Sequence, residues 1–308
     1  MRKLNVMEFD NLNHFKSVAT HQFYIAPADD NYLLARWMFI NRFIPECFWQ
    51  ASQALEKYLK AIILLNDMDT KRFKHDLSAL YHAHLSICGS VAVASFIKPV
   101  ALDSSLWRDE KVSEFIKWIS IKGDPQSRYG LVSWWRNSDD IVKVDQLAGQ
   151  LRRLTIGMGW QVGQDFPTRP EDLSFIGQSY QVALERDKSF YPRGKMSNLD
   201  LRLIPVGNSR SDLLHSWNFE FPRNDVDLER PAPRSVAPII GPAENSYLNL
   251  FRENLTRKSM VNGNEALEPI SRVLAEGMQW LLDRITLSRG DRKTFDDLLK
   301  GRAIYDPV

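Results

Sequence analysis

The chain has 308 residues, of which 44% are hydrophobic and 25% charged, with a formal net charge of +2. That length holds one large domain or two ordinary ones, and the balance is that of a globular protein, not a disordered one. So small a net charge excludes a surface coated with base, and any nucleic-acid contact must come from a local patch.

Taken in order, residues 1–27 show scattered aromatics and no sustained apolar period, which predicts an arm laid on the domain. After Met1-Arg2-Lys3 there is no apolar leader, and the longest aliphatic run, Ala61 to Leu65, is far too short to span a bilayer. A soluble, cytoplasmic protein without membrane contact is expected. Asp29 and Asp30 are N-cap candidates for a helix through Tyr32–Ile40, which is apolar almost all round and so expected between other elements or between subunits. From Ile44 the apolar residues Phe48, Ala51, Leu55, Leu59 and Ile62 recur at three- and four-residue spacing, with Pro45 tolerated in the first turn. Gln50, Gln53, Lys57 and Lys60 share another face of this long helix, and Glu56 stands four residues before Lys60. A basic loop, Lys71-Arg72-Phe73-Lys74, leads to a third helix from His75 to Cys88, ended by Gly89. A fourth spans Asp109–Ile119. A fifth starts behind Asp139 or Asp140, carries Val144, Leu147, Leu151 and Leu154, and stops at Arg152-Arg153 before Gly157. Five helices with short connections predict an antiparallel bundle.

The second half changes character. Thr168 to Glu171 forms a capping box, followed by Leu173, Ile176, Tyr180 and Leu184 on one helical face. Leu199, Leu201 and Leu203, then Trp217, Phe219 and Phe221, alternate at period two around Gly207-Asn208, which predicts a β-hairpin. Five prolines from Pro222 to Pro242 predict an extended segment. A strong helix is expected over Asn264–Ile285 and a short one over Asp291–Leu299.

The helix run Gln53-Ala54-Leu55-Glu56-Lys57-Tyr58-Leu59-Lys60-Ala61, the later Lys74-His75-Asp76-Leu77 and Ser127-Arg128-Tyr129 together resemble the HEPN family of nucleotide- and RNA-associated helical domains. The resemblance covers roughly residues 28–156. It implies a helical bundle, association with a nucleotide or RNA, pairing into a homodimer, and a partner protein such as a nucleotidyltransferase. Many HEPN nucleases carry an arginine and, four to six residues on, a histidine that activates a ribose 2′-hydroxyl. His75, His82 and His84 have no arginine at that spacing. The one match, Arg210 to His215, lies outside the HEPN-like region.

A second candidate is a phosphate site built from Lys57, Lys60, His75 and Arg128, on a helix stripe and at a helix opening that favours anions. The plain alternative is a solvated charged face, with His75 capping a helix or bonding a carboxylate. Phe73 offers a ring on which a base could stack. The two cysteines, Cys47 and Cys88, read as buried reduced thiols. With no His-x-x-x-His pair and no Cys-x-x-Cys, no zinc site or other cofactor is expected. Gly-rich phosphate loops are absent as well.

The sequence therefore predicts a mainly α protein: an N-terminal arm (1–27), a HEPN-like antiparallel bundle of about five helices (28–156), and a mostly helical C-terminal region (157–308) with a β-hairpin and an extended segment at 222–242. Its expected function is a noncatalytic nucleotide- or RNA-binding module, possible within a paired toxin–antitoxin or defence-like system. A metal-independent ribonuclease using Arg210 and His215, and a helical interaction scaffold without ligand, are the alternatives.

Overall fold

The structure, a computed structural model, describes residues 9, 11–41, 43–100, 102, 104–124, 137, 139–164, 170–188, 190–192, 197–203, 247–285 and 289–306. Among them the fold is mainly helical with one antiparallel hairpin, the class the sequence predicts. No helix among the described residues is long and apolar enough to cross a membrane. The helix α3 (Ile44–Leu65) is the centre. Helices α2 (Ala26–Ile40), α4 (Leu77–Cys88), α5 (Val112–Lys122) and α6 (Asp140–Arg153) all pack on it. Its predicted face of Ile44, Phe48, Ala51, Leu55, Leu59 and Ile62 is buried, and so are Ala54, Tyr58 and everything from Ala61 to Leu65. Neighbours on several sides explain why α3 is apolar over more than one stripe.

Antiparallel to each other, α2 and α6 meet through charge. Asp29 pairs with Arg152 (Nε to Oδ1, 2.7 Å), and seven residues on Arg36 pairs with Asp145, which also accepts the Tyr32 hydroxyl at 2.7 Å. All four charged residues are buried. Asp29 is therefore not a cap, as the sequence expected. It lies inside α2 because the preceding residues are already helical, and it accepts bonds from Tyr58 and Ser197 besides Arg152. Nor are Arg152 and Arg153 only stop signals for α6. Arg152 also reaches Asp200 (2.6 Å), and Arg153 donates to the carbonyls of Leu184 and Asp187 behind α7 (Tyr180–Arg186). The main core runs on through Tyr180, Leu184 and Leu199.

The expected arm is helical from Leu12. Helix α1 (Leu12–Thr20) starts at Asn11, whose side chain accepts from the His14 amide, and passes through one π-turn (His21–Ile25) into α2. No apolar period betrays it, because Lys16, Ser17 and Thr20 are buried beside Phe15 and Ala19. Lys16 is neutralised there by Asp67 at 2.8 Å. Residues 198–203 also differ from expectation. They form a short helix, α8, in place of a strand, with Ser197 bonding its first free amides. The remainder of the expected hairpin and the 222–242 segment lie outside the described residues.

The hairpin sits further on, where a helix was expected from Asn264. Following α9 (Tyr247–Thr256), strands β1 (Lys258–Val261) and β2 (Asn264–Leu267) pair with Val261 opposite Asn264. The two residues between them, Asn262 and Gly263, have φ of 51° and 81°. Such a two-residue loop with both φ positive matches the twist of the strands, and Asn-Gly is its preferred sequence. Pro269 then prevents a helix from running through this stretch. Helix α10 (Arg272–Arg284) begins only after strand β3 (Ile270–Ser271), with the Ser271 hydroxyl accepting from the Leu274 amide at 3.2 Å. Helix α11 (Arg289–Leu299) and strand β4 (Ile304–Tyr305), parallel to β3, close the chain.

A second core joins α1, α9, α10 and α11 to α3 through Phe15, Phe251, Met278, Leu281, Phe295 and Leu64. Its tightest point is Gly277, where an added Cβ would lie 2.3 Å from Phe15 Cδ1. Alanine gains about 1 kcal/mol of helix propensity over glycine, but overpacking a filled core costs about 1–3 kcal/mol. Gly277→Ala is therefore expected to destabilise on balance, measured by urea unfolding, with Phe15→Leu in the same chain recovering part of the loss. A Gly277→Ala variant more stable than the parent would mean that α1 does not seat on α10 this way.

Candidate functional site

Two of the cationic candidates meet on one carboxylate. Glu56, buried on α3, accepts from Lys60 Nζ at 2.6 Å and from His75 Nδ1 at 3.0 Å, both at Oε1. The first contact is the one-turn pair legible in the sequence. The second closes over 19 residues and depends on the intervening loop. That loop makes one 3-10 turn at Lys71–Phe73 and places Lys74 at φ 49°, a left-handed backbone that side chains rarely adopt. Asp76 then caps α4, accepting from the Ala79 amide at 2.9 Å. His75 is thus carried out of the helix and back over α3, with its side chain 84% exposed while that of Glu56 is only 9% exposed. Since Nδ1 donates to the carboxylate, Nε2 is left on the open side.

Lys57 lies beside this pair but faces α2. Its Nζ donates to Asn31 Oδ1 at 2.7 Å and to Gln53 Oε1 at 3.5 Å, while Asn31 in turn donates to Gln50. The expected polar stripe is therefore a seam between α2 and α3, not a solvated face. Burial draws the Lys57 ammonium below its ordinary pKa; Glu56 opposes this and Lys60 adds to it.

The basic loop is partly committed elsewhere. Lys71 Nζ donates to the carbonyls of Leu282 (3.2 Å) and Asp283, and the Thr70 hydroxyl to that of Arg284 (2.9 Å), so both cap the end of α10. Cations at a helix C-terminus meet the negative end of its dipole. Arg72 lies over the Phe73 ring at 4.6 Å, covering one face of the expected stacking surface. Arg128, Arg210 and His215 lie outside the described residues. No group of three or more His, Cys, Asp or Glu side chains that could hold a metal ion occurs among the described residues.

In the sequence Glu56 stands as the helix partner of Lys60 and as part of the HEPN-like run, although it is the residue on which the site converges. The usable signal is a carboxylate on the otherwise cationic and amide stripe. A second charged cluster leaves no such signal in the sequence. Lys143 is fully buried with its ammonium on Asp139 (2.7 Å), Glu110 (2.5 Å) and the Arg108 carbonyl (2.7 Å), under the Trp107 ring at 5.1 Å. Asp140, next to it, accepts from the Asn137 amide at 2.7 Å and from Arg108 at 3.4 Å. Burial first, and Asp139 second, push its carboxyl up to about 6. The cysteines are buried as expected, and burial pushes the Cys88 thiol up to about 12, which makes it a poor nucleophile at neutral pH. His84 is buried too. Its Nε2 accepts from the Val93 amide at 3.1 Å, its Nδ1 has no partner, and burial brings its pKa down to about 4.

No family model matches the chain, and no curated protein or solved structure matches it.

The two perturbed groups act oppositely on stability. His84 is held neutral, so below the ordinary 6.5 the unfolded chain takes a proton that the fold refuses. Stability from this group is lost between about pH 6.5 and 4, by about 3 kcal/mol. Asp140 binds its proton more tightly folded than unfolded. Its contribution is full below 3.8 and is lost as pH rises through about 6, again about 3 kcal/mol. The two therefore offset each other between pH 4 and 6. His84→Gln is expected to make the protein more stable on acidification through that window relative to the parent, and Asp140→Asn less stable. Denaturant titrations at several pH values test this, and parallel pH profiles for all three proteins would refute it.

Proposed function

We propose that the chain is a helical module that binds a nucleotide or RNA through phosphate, without catalysis, at the surface where Lys60 and His75 meet on Glu56 before the opening of α4, with Lys57 beside them in the seam with α2. The observation that carries this reading is the Glu56 carboxylate, which fixes the Lys60 ammonium and the His75 ring together. Two lysines against one carboxylate leave the patch positive, and an imidazolium would add to it. Donors fixed in place beforehand hold an anion with less ordering cost. The HEPN-like motifs fall on these same residues, and a nucleotidyltransferase partner fits the same proposal.

A second reading has one observation in its favour. A carboxylate on Nδ1 fixes the tautomer of His75 and leaves Nε2 exposed, the arrangement of a general base. Metal-independent cleavage of RNA would then use His75, in place of Arg210 and His215.

His75→Ala separates these readings cleanly, because an exposed partner of a salt bridge contributes little to folding. Losing a charge-assisted contact should cost about 1.5–3 kcal/mol of binding, roughly tenfold to a hundredfold in affinity. The expected result is that loss for a short RNA or one member of a nucleotide panel, with the melting temperature unchanged. Binding unaffected by both His75→Ala and Lys57→Ala would remove the site. RNA cleavage in the presence of chelator, abolished by His75→Ala, would establish the second reading instead.

We further propose that two copies pair through the outer face of α2. Leu34 is 44% exposed there, and Phe43, beyond the end of α2 and just before α3, is 52% exposed and stacks on the Trp37 ring at 5.9 Å. Light scattering at micromolar concentration should give a dimer mass, and Leu34→Glu a monomer. A monomeric parent would overturn it.

A further inference from the structure

The turn that carries His75 is closed by one hydrogen bond, from the Asp76 amide to the Phe73 carbonyl at 2.9 Å, so Lys74 and His75 are its two central residues. Lys74 has φ 49° and ψ −108°. Positive φ with strongly negative ψ at the first central position is the type II′ geometry, where glycine is preferred because a Cβ crowds the neighbouring peptide. A lysine is held at this corner at a cost in backbone energy.

No contact inside the fold offsets that cost. The Lys74 side chain is exposed, and its ammonium has no hydrogen bond or ion pair among the described residues. The other cations around it are engaged. Lys71 caps α10, and Arg72 lies over the Phe73 ring at 4.6 Å. On α3, Lys57 is on Asn31 and Lys60 on Glu56. The acids nearest in sequence, Asp69 and Asp76, are turned to backbone amides, those of Lys71 at 2.8 Å and Ala79 at 2.9 Å. Lys74 is thus an uncommitted full charge beside His75. It stands on a turn pinned at both ends, by Thr70 on the Arg284 carbonyl before it and by the Asp76 cap after it.

Building on the phosphate reading of the Glu56 surface, on which this step rests, we propose that Lys74 binds a second phosphate of the ligand, next to the one held at His75 and Lys60. The site then selects a ligand with two neighbouring phosphates over one with a single phosphate. His75 and Lys74 are consecutive, with α-carbons about 3.8 Å apart. The His75 ring is tied back to Glu56, while the Lys74 stem is free to extend, so the two groups reach different oxygens. A compact charge on a flexible stem suits phosphate, which it meets as a point charge. Backbone strain kept where glycine would relieve it marks a side chain whose task lies outside stability. Neighbouring phosphates come from two sources, the pyrophosphate of a nucleoside diphosphate and the successive diesters of RNA.

The test is calorimetric titration of AMP, ADP and a short polyadenylate RNA into the full chain and its Lys74→Gly, Lys74→Arg and His75→Ala variants. We expect the parent to bind ADP or the RNA about tenfold more tightly than AMP. A preference for ADP identifies a pyrophosphate ligand, and a preference for the RNA alone a diester one. Lys74→Gly should abolish the preference, leave the affinity for AMP as it was, and melt no lower than the parent. Lys74→Arg should keep the preference. If Lys74→Gly binds all three as the parent does while His75→Ala weakens all three, this proposal falls and the phosphate reading stands. Equal affinity of the parent for AMP, ADP and the RNA has the same consequence. A melting temperature lowered by Lys74→Gly would make the lysine part of the fold and also overturn the proposal. No binding of any of the three up to about 1 mM would remove both readings.

Discussion

The register of α2 on α6 is set by two ion pairs that run in opposite order along the two helices. Asp29 meets Arg152 and, seven residues further along α2, Arg36 meets Asp145, seven residues back along α6. Seven residues is close to two turns, so on each helix the acid and the base stand on one face. Sliding one helix past the other by a single turn, about 5.4 Å, would unpair all four charges inside the protein. Leaving even one such charge without its partner costs about 3–5 kcal/mol, a large share of the about 5–15 kcal/mol that holds a domain folded. Arg152 extends the constraint to α8 through Asp200, so one guanidinium ties the first long helix to the second half of the chain.

The parts of the fold legible in the sequence are those where burial and helical period coincide. On α3 and α6 the apolar residues read from spacing are the ones found in the core, and their ends lie close to the expected places. Where charge does the work of packing, period fails. Arg36 stands inside a run that is apolar almost all round, and α1 shows no apolar period because three of the five residues it buries are polar. The C-terminal hairpin was missed for a different reason. Leu267, Ile270, Leu274 and Leu281 keep helical spacing, and this outweighed the Asn-Gly turn and Pro269, which are local backbone constraints that no spacing can override.

At the candidate site, Lys57, Lys60 and His75 were readable as residue types, but their relation was not. What joins Lys60 to His75 is a carboxylate between them, and the loop that brings His75 back across α3 turns at a lysine with positive φ, where a glycine or asparagine would have announced the bend. Lys57 was placed on the correct stripe, but its ammonium belongs to the seam with Asn31.

The bonds from Thr70 and Lys71 to the last carbonyls of α10 join two parts of the molecule that the sequence gives no reason to connect. Those carbonyls sit at one end of a short loop, and His75 on Glu56 sits at the other. Any equilibrium that lifts α10 from its seat therefore also frees the loop that carries the imidazole. Coupling of this kind is reciprocal, so were a molecule to be held by His75 it would perform work on the docking of the C-terminal helices equal to the work their docking performs on its affinity.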